Sequence, residues 1–167
     1  MPEPVAKRLV DEAEQLGVFA IALVGGEPLL RPELVFHLVR SHPRLLFLLF
    51  TSGSGVTPAV ARQARVPNLL TLVGADSARS GAKAARDELR GAGARLGFSA
   101  VVHEAVAAEL ASAAFVDRLR REGCCAGVFF ERLPVGRAAT DGYGLTVAAL
   151  ARFRDEIVVD ILRAESR

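Results

Sequence analysis

The residues of this chain whose types could do chemistry gather in one octapeptide, Gly25-Gly26-Glu27-Pro28-Leu29-Leu30-Arg31-Pro32. Two adjacent glycines let backbone approach a ligand closely, Glu27 offers a carboxylate to an ammonium group, and Pro28 stiffens the exit. The same residues also suit a tight strand-to-helix turn without a ligand. Elsewhere the signals are weaker. Glu33 and His37 are four apart on one helical face, a spacing that fits a surface ion pair as well as a metal, and His42 and His103 lack ligand-type neighbours. Cys124 and Cys125 are adjacent, which excludes an ordinary disulfide framework and leaves two free thiols, read as small buried residues pointing to opposite faces of an extended segment. Gly53-Ser54-Gly55 lacks the spacing of a nucleophile elbow. No P-loop is present, and the glycines from Gly91 to Gly97 precede a strand where a dinucleotide fingerprint would follow one. Arg118, Arg120 and Arg121 stand among Asp117 and Glu122 as a solvated helix face, so no nucleic-acid partner is expected.

The elements that must position the loop are legible from periodicity. A helix over residues 3 to 16 ends at Gly17, and the apolar run Val18 to Val24, too short for a helix, reads as a strand buried on both faces. The unit recurs: a helix from Pro32 to about Ser41, then a strand from Leu45 to Phe50; a helix opened by Thr57 and Pro58, then Leu69 to Val73; Ala82 to Arg90, then Phe98 to Val102. Ser112 caps a helix from Ala113 to Glu122 that leads to Val128 to Leu133. Thr146 caps a last helix of about ten residues, beyond which Ile157 to Leu162 fits helix or strand. Five strands alternating with helices predict an α/β fold with a parallel sheet, open or curled into a partial barrel. The 167 residues, 51% hydrophobic and 24% charged, suffice for one domain spanning 1–167, in which 157–167 could open a further element. The net charge is +2 and nearly all cations are Arg. No apolar run approaches a membrane span, and the start shows no secretory signal, so no membrane partner and a cytoplasmic location are expected.

With its flanking strand and helix, the Gly25-Gly26-Glu27-Pro28 loop resembles the Gly-Gly-Glu-Pro motif of radical S-adenosylmethionine (SAM) enzymes. The resemblance continues in order along residues 5 to 156. Phe50-Thr51-Ser52-Gly53 is similar to the end of that family's third strand, often Thr-Asn-Gly, and Leu70-Thr71-Leu72-Val73-Gly74 to the fourth. Gly97-Phe98-Ser99-Ala100-Val101-Val102 is similar to the fifth, and Phe129-Phe130-Glu131-Arg132-Leu133-Pro134-Val135-Gly136 to the sixth with its loop. The resemblance implies a partial (β/α) barrel without its first strand, and SAM as cofactor. It implies contacts to SAM from Gly25, Gly26 and Glu27 at the amino group, from Thr71 at the ribose and from Arg79 at the carboxylate, with Pro28 and Thr51 also among the cofactor-binding residues.

In the family an iron–sulfur cluster reduces SAM to methionine and a 5′-deoxyadenosyl radical that abstracts hydrogen from a substrate, unidentified here. The expected 4Fe-4S cluster would need the family's Cys-x3-Cys-x2-Cys, which belongs upstream of the helix at residue 3; the chain holds two cysteines, and no metal site is expected within it. Ser52 stands where the family often has Asn, and Val73 where it often has an acid. The expectation is a truncated or degenerate radical SAM domain, from a mis-started frame, a broken gene or a non-catalytic relative, inactive alone. The alternatives are a non-catalytic α/β binding or interaction module and an ordinary nucleotide-binding protein. Lacking a preceding strand, Val18 to Val24 would be an exposed edge open to self-association.

Overall fold

The computed structural model describes residues 1–75, 81–132 and 145–165, with side chains to 157. Helix α1 (Glu3–Gln15) leads to strand β1 (Ala20–Leu23), and a short 3-10 turn over Pro28–Leu30 precedes α2 (Pro32–Ser41). Then follow β2 (Leu46–Thr51), α3 (Pro58–Gln63), β3 (Leu69–Gly74), α4 (Ala82–Gly91), β4 (Leu96–Val102), α5 (Ala107–Leu110), α6 (Ala113–Arg121), β5 (Gly127–Glu131) and α7 (Val147–Glu165). The side chains of Thr57, Ser112 and Thr146 accept hydrogen bonds from Val60, Phe115 and Ala149 backbone N–H groups, so all three caps form. Ile157 to Leu162 is helix, continuous with α7. The four-residue α5 was not foreseen.

All five strands pair in parallel and in chain order, β1-β2-β3-β4-β5. Alternation along each strand divides the sheet into two faces. Phe47, Leu49, Leu69, Val73, Leu96, Phe98 and Ala100 share one buried cluster with Val35, Phe36 and Val39 of α2, Val60 of α3, Leu89 of α4 and Phe115 and Leu119 of α6. The other face carries Leu46, Leu48, Phe50, Leu70, Leu72, Ser99, Val101 and Phe130. There Phe50 of β2 meets Phe130 of β5 with ring centroids 5.3 Å apart. Those strands are three spacings, about 14 Å, from each other in a flat sheet, so the sheet curls around this face. The architecture is a half-barrel with helices on its convex side.

The expectation that Val18 to Val24 forms a strand buried on both faces is corrected by this shape. Among the described residues the helices cover the convex face; on the concave face Leu72 is buried within the curl while Val101 and Phe130 are exposed, and β1 is only partly buried. Strand β1 is also the sheet edge, with Phe19 beside it 78% exposed. Among the described residues no helix is long and apolar enough to cross a membrane.

Helix α1 is fastened to α2 by His42, which is buried. Its Nδ1 lies 2.8 Å from the Leu38 carbonyl oxygen and its Nε2 2.9 Å from Asp11 Oδ1. Both partners are acceptors, so only the imidazolium donates to both. Burial opposes that charge, but the Leu38 and Asp11 hydrogen bonds outweigh it and raise the pKa above its ordinary value of 6.5. The stabilisation is present in full below the unfolded-state pKa and is lost as pH rises through the folded-state one. The unfolding free energy should therefore fall between about pH 6 and pH 8 relative to that of His42→Gln, measured by urea denaturation at each pH; parallel pH profiles for the two proteins would refute the tether.

Candidate functional site

The carboxyl ends of β1 to β4 and their loops form one edge of the half-barrel, where ligands bind in parallel α/β folds. After β1 the backbone turns through Gly25 and Gly26, with φ of +96° and +55°, a region side-chain-bearing residues rarely adopt. A Cβ built on either glycine would meet nothing within 4 Å, so this stretch of backbone is bare.

Glu27 fixes the turn. Its Oε1 accepts hydrogen bonds from Leu29 N–H at 3.2 Å and from Thr51 Oγ1 at 2.7 Å, while its Oε2 accepts from Ser52 N–H at 2.8 Å and Ser52 Oγ at 2.6 Å. The Leu29 bond caps the 3-10 turn that Pro28 begins. Two donors on each oxygen fill the carboxylate's usual capacity. Partial burial pushes its pKa up, but the Ser52, Thr51 and Leu29 hydrogen bonds prevail, and Glu27 titrates below the ordinary carboxylate value.

Beyond this clasp opens a cleft of about 210 Å³, lined by Gly25, Gly26, Thr51 and Ser52 on one side and by Gly74 and Ser99 on the other, with Phe50 and Phe130 on the concave face. The structure therefore brings together Gly25, Gly26 and Thr51 at the cleft, with Glu27 and Pro28 behind them. Glu27 contacts Thr51 and Ser52 and does not line the cleft.

Thr71 lies elsewhere. In register with Leu49 and Leu96, it belongs to the convex face beneath the helices and is 1% exposed, so its side chain cannot reach a ribose in the cleft. Its Oγ1 has no hydrogen-bond partner. On β4 a hydroxyl does face the cleft, that of Ser99, opposite Gly74 in the ladder, and the pairing of β3 with β4 puts it there. Arg79 lies outside the described residues, as do Leu133 and the Pro134-Val135-Gly136 loop.

Arg86 was also missed in the sequence. It is 4% exposed, donates from Nε to Glu122 Oε2 at 2.6 Å and from Nη1 to the Gly74 carbonyl at 3.1 Å, and so holds the cleft end of β3 to α4 and to the end of α6. The available signal was an arginine on the same helical face as Ala82, Ala85 and Leu89, where only a paired cation is tolerated.

The cysteines do not fit a three-thiolate cluster. They stand just before β5, at the edge of the sheet remote from Gly25 and Gly26. Cys124 is buried and Cys125 exposed, which corrects the reading of both as buried while agreeing with their opposite orientation. Burial pushes the Cys124 thiol up to about 11, unfavourable for a thiolate ligand. Among the described residues no group of three or more His, Cys, Asp or Glu is placed to hold a metal; Glu33 and His37 are both exposed on α2.

No family model matches the chain. Over 53 residues, 31% of its length, it is 49% identical to the PqqA peptide cyclase of Ruegeria pomeroyi, of which the match covers 14%. Among solved structures, SuiB of Streptococcus suis bound to precursor peptide SuiA matches with a TM-score of 0.78 at 13% identity, over 99% of this chain and 40% of that one. Native anSMEcpe with bound AdoMet and Cp18Cys peptide matches with a TM-score of 0.70 at 18% identity, over 97% of this chain and 52% of that one. The chain thus spans about half or less of these proteins. It resembles the radical SAM family in fold as it does in its Gly25-Gly26-Glu27-Pro28 loop.

Two stability measurements test these assignments. Glu27→Ala leaves the Leu29 and Ser52 N–H groups without their acceptor and should cost about 2 kcal/mol, read by urea denaturation at neutral pH. Because the folded-state pKa is depressed, that cost should be full above about pH 4.5 and shrink as pH falls. Thr71→Val exchanges an unpaired buried hydroxyl for a methyl group and should raise stability by about 1 kcal/mol; a loss of that size would mean the hydroxyl has a partner.

Proposed function

We propose, from the premise of a radical SAM-type half-barrel, that the Gly25–Ser99 cleft binds SAM and that the chain is the SAM-cradling portion of a peptide-modifying radical SAM enzyme. The observation that carries the reading is the bare left-handed backbone of Gly25 and Gly26 at the cleft, held in place by a carboxylate already filled from within. The ammonium of SAM is met by carbonyl groups of that turn. Glu27 acts through the turn's shape, and Thr51 and Ser52 act through Glu27. Ser99 offers a hydroxyl to the ribose in place of Thr71, and Phe50 and Phe130 give the flat adenine an apolar wall. Arg86 positions the Gly74 end of β3. The cofactor supplies the radical chemistry, as in the family, and the chain's residues bind it, orient it and keep water from its apolar parts.

Among the described residues the concave face around Phe130 and Val101 is apolar and partly exposed, suited to an extended peptide; the peptides bound in the SuiB and anSMEcpe structures support that substrate class. Cluster ligands would come from outside the residues of this chain. The misplacement of its cysteines equally favours a second reading, a SAM-binding module without catalysis. Reductive SAM cleavage by the chain alone would decide against both.

Titration calorimetry with SAM tests the cleft. The chain should bind SAM, and Gly26→Val, which places a branched side chain at a left-handed position, should weaken binding about tenfold or more while far-UV circular dichroism is unchanged. Absence of binding, or equal affinity in the variant, would overturn the assignment.

A further inference from the structure

The opposite edge of the half-barrel, where strands begin and helices end, carries a charge pattern that the SAM cleft does not use. From Leu34 to Ala75 the sequence contains four arginines and no acidic residue, and from Leu89 to His103 two arginines and none. The fold brings these cations to one face. Arg40 is in the last turn of α2 and Arg44 precedes β2, Arg62 and Arg65 lie in the last turn of α3 and just after it, and Arg90 is in the last turn of α4 with Arg95 just before β4. All six are exposed. Neighbouring units touch through them: Arg40 Nη2 donates to Gln63 Oε1 at 3.3 Å, Arg95 Nη1 to the Pro67 carbonyl at 2.7 Å, and Arg65 Nε lies 3.8 Å from where a Cβ on Gly93 would be. Of the six, only Arg90 has a carboxylate contact among the described residues, Asp87 at 3.4 Å.

One cation in a last turn is what a helix dipole accounts for. A row of six guanidinium groups, five without carboxylates, exceeds that and lowers stability by mutual repulsion. We infer that this face docks an acidic polypeptide segment carrying apolar residues. Helices packed side by side lie 8–10 Å apart, so the row from α2 towards α6 extends about 20–30 Å, the reach of an extended peptide of roughly six to ten residues.

Two observations favour polypeptide over nucleic acid. Between Arg40 and Arg95 no aromatic ring is exposed for bases to stack on. At the β1 end the row stops: Asp11, Glu12 and Glu14 on α1 would repel a continuing phosphate backbone, while Leu16 and Phe19, 83% and 78% exposed, offer contacts that apolar side chains can fill. Phe19 adjoins the row, its carbonyl accepting from Leu46 N–H two residues after Arg44. The inference is independent of SAM binding.

Fluorescence anisotropy with a labelled Glu- and Leu-containing peptide of about ten residues, a single-stranded oligonucleotide of equal charge, and phosphatidylserine vesicles tests it. The peptide should bind more tightly than the oligonucleotide or vesicles. The triple variant Arg44→Glu, Arg62→Glu, Arg65→Glu should weaken it about tenfold or more. The triple variant Arg8→Glu, Arg152→Glu, Arg154→Glu, of equal net charge, should leave it within about twofold. Should the reversed row fail to fold by circular dichroism, the Gln triple at the same positions reads out the loss. No peptide binding, preference for the oligonucleotide or vesicles, or equal loss in both reversed variants would overturn the inference.

Discussion

Five parallel strands in unbroken spatial order leave each connection one neighbouring strand to reach, and connections of one hand then land on one side of the sheet. From that constraint follow the convex face covered by helices and the curl that brings Phe50 to Phe130 across three strand spacings on the other face. It also separates two rims. Every β-to-α loop emerges at one, every α-to-β turn at the other, so residues far apart in sequence become neighbours according to which kind of connection they occupy.

At the first rim the organising contact is the Glu27 carboxylate. A loop of two left-handed glycines has little to hold it, since glycine has the largest conformational freedom to lose. Four hydrogen bonds from Leu29, Thr51 and Ser52 supply the restraint and join the end of β1 to the end of β2. A carboxylate so engaged is expensive to divert to a ligand, because each donor it released would be left partly buried without a partner. What the cleft presents at this turn is therefore the backbone of Gly25 and Gly26 that the carboxylate shapes. Arg86 has the matching role at the end of β3: its guanidinium is tied to Glu122, and through the Gly74 carbonyl it sets the other wall.

Much of this was legible in the sequence. Helix caps at Thr57, Ser112 and Thr146 and the apolar runs between them are local signals, and they locate the strands to within about two residues. The Gly25-Gly26-Glu27-Pro28 turn was legible as a candidate because its residues lie in one contiguous stretch, and the first two of them line a cleft. What failed were readings that needed tertiary information. Whether Val18 to Val24 is covered depends on where the sheet ends, and that Thr71 lies under the helices while Ser99 lines the cleft is fixed by the register of neighbouring strands. Arg86 was visible as a charge on an apolar stripe, but its partner lies 36 residues later, at the end of α6.

The two rims also differ electrically, for a reason built into the topology. Helices that all run antiparallel to their strands point their carbonyl ends at the same rim, and the partial negative charges there favour cations in the last turn. This local preference, repeated in unit after unit, accumulates arginines on one face with no selection for a patch as such. What the dipoles do not explain is that five of the six lack a carboxylate contact among the described residues, since an acid beside each arginine would relieve the repulsion between neighbours without affecting the carbonyl ends. Acids occur at the close of α1, where Asp11 meets His42, and at the close of α6, where Glu122 meets Arg86. Both are spent on structural ties at the ends of the row; between them Asp87 near the end of α4 meets Arg90, while Arg40, Arg44, Arg62, Arg65 and Arg95 have no carboxylate contact among the described residues.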